Sequence, residues 1–288
     1  MRDSAWAVRR LSGWAVRLAV ATLTAYSSNG LSAQSREVLL ATTTSTRDAG
    51  LLDTLLPIFE RQTGYRVKVI AVGSGQALEL GRRGDADVVL AHAPDAERLL
   101  VDSGYFVSRR LVMHNDFLIV GSSADPAGLR GMTDAVAALR RLAERGAPFV
   151  SRGDQSGTHK LEQKLWRLAG IRPPSSGSWY IESGHGMGET LQMTDEKRAY
   201  TISDRATYLA WRDKVQLVPL VEGDPILYNV YHVLELNARN APRINVAGGK
   251  TFADFMVAPE TQAVIGQFGK SRFGQSLFIP DAGKMDRW

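Results

Sequence analysis

Tyr65-Arg66-Val67-Lys68-Val69-Ile70-Ala71-Val72-Gly73-Ser74-Gly75 reads as a strand that runs into a tight turn of small residues. Its residues alternate with a period of two, which is the spacing of a strand. On its upstream side, Leu51, Leu52, Leu55, Leu56 and Phe59 recur at helical spacing, and Thr63-Gly64 supplies the stop. Pro57 inside that run is expected to kink the helix or restart it. Ser45, with Asp48 three residues on, fits a capping box for its start. Before it, Arg36-Glu37-Val38-Leu39-Leu40-Ala41 is a short buried strand. On the downstream side, residues 76–83 read as a helix, and Gly84-Asp85-Ala86-Asp87 leads into the apolar strand Val88-Val89-Leu90-Ala91. The order β-α-β-α-β is that of a parallel sheet with helical crossovers.

Turns that follow strands in such a sheet lie at its carboxyl edge, where open α/β sheets bind ligands. Two of them are rich in hydroxyls and glycine: Thr42-Thr43-Thr44-Ser45-Thr46 after the first strand, and Gly73-Ser74-Gly75 after the second. Five hydroxyl residues in a row are hard to account for by packing, although caps and turn formers share this composition. A third turn is Ser151-Arg152-Gly153-Asp154-Gln155-Ser156-Gly157-Thr158-His159. Apolar Pro148-Phe149-Val150 enters it. A helical run with Leu161, Leu165 and Leu168 leaves it and stops at Gly170. The turn carries one guanidinium and, at the start of a helix, two hydroxyls and a glycine, Ser156-Gly157-Thr158. There the first amides are unpaired and the dipole is positive, so an anion is favoured. A plain capping turn, with Ser156 or Thr158 as the N-cap, is the simpler alternative.

The rest of the chain repeats the alternation. Residues 95–103 and 133–146 read as helices, the second with Val136, Leu139, Leu142 and Ala143 on one face. Residues 117–121, 199–203 and 217–220 read as strands, 204–211 as a helix and 173–178 as a loop. Gly184-His185-Gly186-Met187-Gly188 opens a further helix that puts its N-terminus toward the cleft. Residues 226–236 alternate as a long strand, and 251–268 close the chain as a helical region interrupted by Pro259. Two β-α-β blocks with a late return strand imply two α/β lobes. The chain is expected to cross between them near residues 112–121 and 226–236, side by side as a hinge.

The 288 residues suffice for two ordinary domains or one large one, and 44% apolar with 23% charged residues is the balance of a globular protein. With no cysteine, disulfides and thiolate metal sites are excluded. Residues 1–33 differ from the remainder. Arg2, Arg9, Arg10 and Arg17 precede the short apolar run at 18–25, and Leu31-Ser32-Ala33 resembles a cleavage site. The segment reads as a signal peptide cut after Ala33, of the general or twin-arginine kind, with an uncleaved tail as the alternative. No cysteine stands at the cut, so no lipid anchor is expected and the mature chain would be free in the periplasm. The segment holds four arginines and one aspartate, net +3, which leaves +2 of the formal +5 for the rest. A nucleic-acid partner therefore loses its electrostatic support.

No catalytic pattern stands up. Asp154, Ser156 and His159 crowd three triad residue types into six positions without a Gly-x-Ser-x-Gly elbow, so a hydrolase is disfavoured. The glycines at 184, 186 and 188 lack dinucleotide spacing. His92, His114, His185 and His232 show no ligand spacing, so no metal and no cofactor are expected. A regulator's effector-binding domain would need a DNA-binding helix-turn-helix, and none is evident.

Thr42-Thr43-Thr44-Ser45, Gly73-Ser74-Gly75-Gln76-Ala77-Leu78, Arg82-Arg83-Gly84-Asp85-Ala86-Asp87-Val88, the 150–159 turn and Tyr200-Thr201-Ile202-Ser203-Asp204-Arg205, in this order, resemble the tungstate-binding subunits of ABC importers. These belong to the class II periplasmic solute-binding proteins. Gln155 departs from the family pattern, where an acidic residue is common. The resemblance implies a two-lobe fold with a ligand cleft between lobes joined by two hinge strands. It also implies a non-enzymatic binder, a monomer, and a membrane permease with its ATPase as partner. Lobe I would comprise residues 34–115 and 230–288, and lobe II residues 116–229. The expected ligand set is Thr43, Thr44, Ser45, Ser74, Gly75, Arg152, Ser156, Gly157 and Thr158, around tungstate or molybdate, with phosphate or sulfate as alternatives of the same fold. Tungstate is a compact tetrahedral dianion with four acceptor oxygens and no proton, so donors must reach it from both lobes. Asp154 is expected to brace Arg152 rather than to touch an anion.

Overall fold

The computed structural model describes residues 36–154, 156–172 and 179–287. The expected signal segment, Gln155 and the 173–178 loop lie outside the described residues. The first block is β1 (Glu37–Thr43), α1 (Thr44–Asp48), α2 (Leu51–Thr63), β2 (Arg66–Val72), α3 (Ser74–Arg83), β3 (Val88–Ala91) and α4 (Pro94–Asp102). The capping box expected from Ser45 and Asp48 does not start the long helix. Instead, α1 is a separate turn whose Thr46 amide donates to Thr43 Oγ at 3.2 Å. Gly50, in the left-handed region at φ 77°, then resets the chain for α2. Pro57 does not break α2, which runs through it. Leu52, Leu55 and Phe59 are buried on both sides of the proline, and this packing offsets the one backbone bond it removes.

A 17-residue strand follows, β4 (Phe106–Ser122). After it come α5 (Ala135–Glu144), β5 (Phe149–Ser151), α6 (Gly157–Leu168), β6 (Tyr180–Glu182), α7 (Met187–Glu196), β7 (Tyr200–Asp204), α8 (Arg205–Trp211) and β8 (Leu217–Val221). The return strand is β9 (Tyr228–Leu236), and α9 (Val246–Val257), α10 (Pro259–Gln267), α11 (Lys270–Phe273) and β10 (Ile279–Pro280) complete the chain. Pro259 does divide the closing helices, as the first residue of α10, where its missing N–H costs nothing.

The strands run β2-β1-β3-β9-β4-β7-β5-β6, with β8 and β10 also paired to β4. In the first half, β1 pairs in parallel with β2 and β3, and β9 joins antiparallel to β3 and to β4. In the second half, β5 pairs in parallel with β6 and β7, while β7 and β8 pair antiparallel with β4. One strand belongs to both halves. β4 pairs with β9 as far as Asp116↔Tyr228, and from Phe117↔Asp204 onward it pairs with β7. Of the two stretches expected to lie side by side, residues 113–116 do pair with 228–231, whereas 117–121 pair with β7 and β8 instead.

β3 is buried along its whole length, as a near-continuous apolar strand covered on both faces should be. Val88 and Leu90 pack with Leu55, Phe59 and Phe252 of α2 and α9. Val89 and Ala91, pointing the other way, pack with Ala77 and Leu78 of α3. The second half has its own core of Ile119, Leu139, Phe149, Trp166, Tyr200 and Ile202, among others. Both helical layers leave the carboxyl ends of β1, β2, β3 and β5 open to a cleft.

Candidate functional site

The cleft has a volume of about 1790 Å³. Thr43, Thr44, Ser74 and Gly75 line it from the first half, and Arg152, Ser156, Gly157 and Thr158 from the second. Three turns separated by tens of residues in sequence thus face one space. A Cβ built on Gly75 or on Gly157 would meet nothing within 4 Å beyond its own helix backbone, so the space beside both α-carbons is open. The Ser45 side chain lies outside what the structure describes.

The 151–158 turn is built from its backbone outward. Gly153 has φ 63°, and a Cβ there would sit 3.0 Å from Glu182 Cβ, so glycine is required on both counts. This bend returns Asp154 toward its neighbours. Asp154 Oδ2 accepts from Arg152 Nη2, and Oδ1 accepts from the Ser156 amide at 3.1 Å. Burial by itself would raise the Asp154 pKa, but the hydroxyl and amide of Ser156 and the Arg152 guanidinium outweigh it and hold the carboxyl below its ordinary value. Asp154 is therefore a brace, as its acceptor-only chemistry requires. Arg152 Nε is buried and has no hydrogen-bond partner among the described residues. Ser156 is the N-cap of α6: its Oγ accepts from His159 N at 3.3 Å.

Behind the turn, buried Glu162 collects three donors: Ser151 Oγ at 2.8 Å, Tyr180 OH at 2.7 Å and Trp166 Nε1 at 3.2 Å. Ser151 Oγ in turn accepts from Gly153 N at 3.2 Å. Burial pushes the Glu162 carboxyl up, against these hydrogen bonds. His159 is 3% exposed and packs in the first turn of α6. The turn is thus held from the core side, with its polar face left to the cleft.

On the opposite wall, Thr43 is nearly fully buried. Its hydroxyl lies 2.6 Å from Thr46 Oγ and 3.1 Å from His92 Nε2. Thr43 lines the cleft, but its hydroxyl is engaged between Thr46 of α1 and His92, which follows β3. His92 also lines the cleft. Burial pushes its pKa down to about 4, against the opposing pull of Glu97, so the ring is neutral at pH 7.

Several lining residues have no counterpart in the sequence reading. Asn115 on β4 and Asn229 and Tyr231 on β9 form part of the floor where the two long strands meet. For Asn115 the signal was the polar His114-Asn115-Asp116 interruption within an apolar stretch, which reads as a hinge rather than as a site. Pro94, Asp95 and Arg98 at the start of α4 also line the cleft. Of the 184–188 run, only Met187 does so. Arg82 and Arg83 do not line it. They pair at the far end of α3, Arg82 with Glu79 at 2.6 Å and Arg83 with Asp85 at 2.7 Å.

No helix among the described residues is long and apolar enough to cross a membrane. A family model described as a PBP superfamily domain matches residues 29–260. The chain is 46% identical over 249 residues to the tungstate-binding protein TupA of Peptoclostridium acidaminophilum, covering 86% of each chain. The solved structure of TupA from Desulfovibrio alaskensis G20 matches with a TM-score of 0.78 at 43% identity, over 85% of this chain and 99% of that one. The tungstate ABC transporter structure from Geobacter sulfurreducens matches with a TM-score of 0.66 at 45% identity, over 81% and 98%. With this agreement in sequence and in overall structure, the chain belongs to the PBP superfamily and, within it, to the family of the TupA tungstate-binding proteins.

Proposed function

We propose that this protein captures one tetrahedral oxyanion, tungstate, and delivers it to the membrane permease of an ABC importer powered by its ATPase. It binds without chemistry. Lobe I comprises residues 34–115 and 230–288, and lobe II residues 116–229. Thr44, Ser45, Ser74 and the Gly75 backbone supply donors from lobe I. Arg152 and the Ser156-Gly157-Thr158 turn supply them from lobe II, and Thr43 holds the first turn in place. The protein acts as a monomer in the periplasm, after loss of residues 1–33 and without a lipid anchor.

One observation carries this reading: hydroxyl- and amide-bearing turns from both halves line a single cleft with Arg152, in a chain whose relatives bear the name tungstate-binding protein. A hydrogen bond to a charged group contributes about 1.5–3 kcal/mol. Several in a closed cleft suffice for nanomolar affinity, about −12 kcal/mol, after the costs of association. Molybdate has nearly the same size and charge and would use the same donors.

Calorimetric titration of residues 34–288 with tungstate, molybdate, sulfate, phosphate and chromate tests the proposal. One dianion should bind per monomer and be recovered unchanged, with tungstate among the tightest. A stoichiometry far from one, or preference for a protonated phosphate, would overturn it.

A further inference from the structure

Three polar residues interrupt β4 where it passes from one half of the sheet to the other: His114, Asn115 and Asp116. The outer two are committed. His114 Nδ1 lies 2.6 Å from Asp281 Oδ2. Asp116 takes both arms of the Arg205 fork, Nε to Oδ1 at 2.7 Å and Nη2 to Oδ2 at 2.6 Å. Asn115, which a strand turns to the opposite face, lines the cleft. Its Oδ1 is buried and has no hydrogen-bond partner among the described residues. The residue opposite it in register, Asn229, uses its own Nδ2 on Tyr231 OH at 2.9 Å. A buried side-chain amide oxygen without a partner is rare in native proteins, and at a cleft it marks a carboxamide whose partner arrives with the ligand.

We infer that Asn115 is a ligand-contacting, specificity-determining residue: its carboxamide reaches the bound oxyanion from the hinge floor, between the turns of the two lobes. This rests on the oxyanion reading above. A carboxamide can rotate to present Nδ2 as a neutral donor, which suits an anion that has only acceptor oxygens. A carboxylate at this position would repel such an anion and accept only from a protonated one. Asn115 therefore sets the choice between a fully deprotonated dianion and a hydrogen-bearing oxyanion such as hydrogen phosphate. Because it sits at Asn115↔Asn229, one pair before β4 leaves β9, its contact also couples the ligand to the strand on which the two halves turn.

The test uses the mature chain as wild type, Asn115→Ser, Asn115→Ala and Asn115→Asp, titrated with sodium tungstate and with phosphate at pH 7.5. Asn115→Ser, which keeps a short donor, should bind tungstate within about tenfold of wild type. Asn115→Ala should lose about 10- to 100-fold, the span of one hydrogen bond to a charged group. Asn115→Asp should lose more than Asn115→Ala, and its affinity for phosphate relative to tungstate should rise. Equal tungstate affinity in wild type and Asn115→Ala would overturn the inference, as would an Asn115→Asp variant that still preferred tungstate to the same degree. If Asn115→Asp fails to fold, shown by the loss of a thermal transition, the alanine and serine variants decide alone. Failure of the wild type to bind tungstate would instead remove the oxyanion reading itself.

Discussion

At the scale of the residue, Arg152 is the one whose removal should be felt most. Its guanidinium leans on Asp154 and keeps a buried Nε without a partner among the described residues. The planar fork can give two hydrogen bonds to one oxyanion, a geometry lysine cannot reproduce. Arg152→Ala should weaken tungstate binding by about 2–5 kcal/mol, the range for truncating one member of a buried charge pair. Arg152→Lys should lose less. Arg82→Ala and Arg83→Ala, whose partners lie at the far end of α3, should bind almost as wild type in the same calorimetric series. A full-strength Arg152→Ala would show that the central turn is not the site.

His92 offers a second test at this scale, through pH. Its folded pKa of about 4 lies below the ordinary histidine value. The unfolded chain therefore takes up a proton first as pH falls. Stability from the neutral ring is present above about pH 6.5 and is lost progressively as pH drops toward 4. Between pH 7 and pH 5 this amounts to about 2 kcal/mol. Urea midpoints at the two pH values should show His92→Gln losing less stability over this interval than the wild type, by about that amount. Parallel losses in both proteins would mean that His92 is not the neutral group described.

At the scale of the element, the start of α6 is where local chemistry and site coincide. The Ser156 hydroxyl caps the helix through His159 N, while Glu162, one turn further, anchors the turn from the core through Ser151. Ser156→Ala should cost about 1 kcal/mol of stability, the usual worth of an N-cap, and about tenfold or more in tungstate affinity. Ser156→Thr should recover most of the stability in urea denaturation. This element was legible in the chain: an apolar tip, a hydroxyl–glycine turn and leucines at helical spacing are all local. The start of α2 was not. Ser45 and Asp48 have the spacing of a capping box, yet Thr43 caps a separate short turn and Gly50 begins the helix anew. Thr43, at the end of β1, also meets His92, which follows β3, a contact 49 residues away in sequence.

At the scale of the whole molecule, β4 runs through both halves with β9 beside its first part, and turns from both halves line the cleft. A ligand held from both sides favours the closed arrangement by as much as it binds it more tightly than the open one. Small-angle scattering of the mature chain should therefore give a smaller radius of gyration with tungstate than without. Superimposable curves would remove closure from the account while leaving binding intact.

The sequence by itself determined what is local. The alternation of strands and helices follows from periods of two and of 3.6, and the anion-friendly character of the 42–46, 73–75 and 151–158 turns follows from their hydroxyls, glycines and single guanidinium. It also determined that residues 226–236 would form a long strand, because they alternate, whereas of β4 it showed the extended stretch at 112–121 and not the start at Phe106. Only the tertiary structure decided that β9 inserts between β3 and β4, that the three turns share one cleft, that Thr43 spends its hydroxyl on Thr46 and His92, and that Asn115 Oδ1 is buried without a hydrogen-bond partner among the described residues. The physical reason is that periodicity reports which face of an element is buried. Which elements become neighbours is set by strand pairings between residues as much as 167 positions apart, Met113 and Pro280 among them.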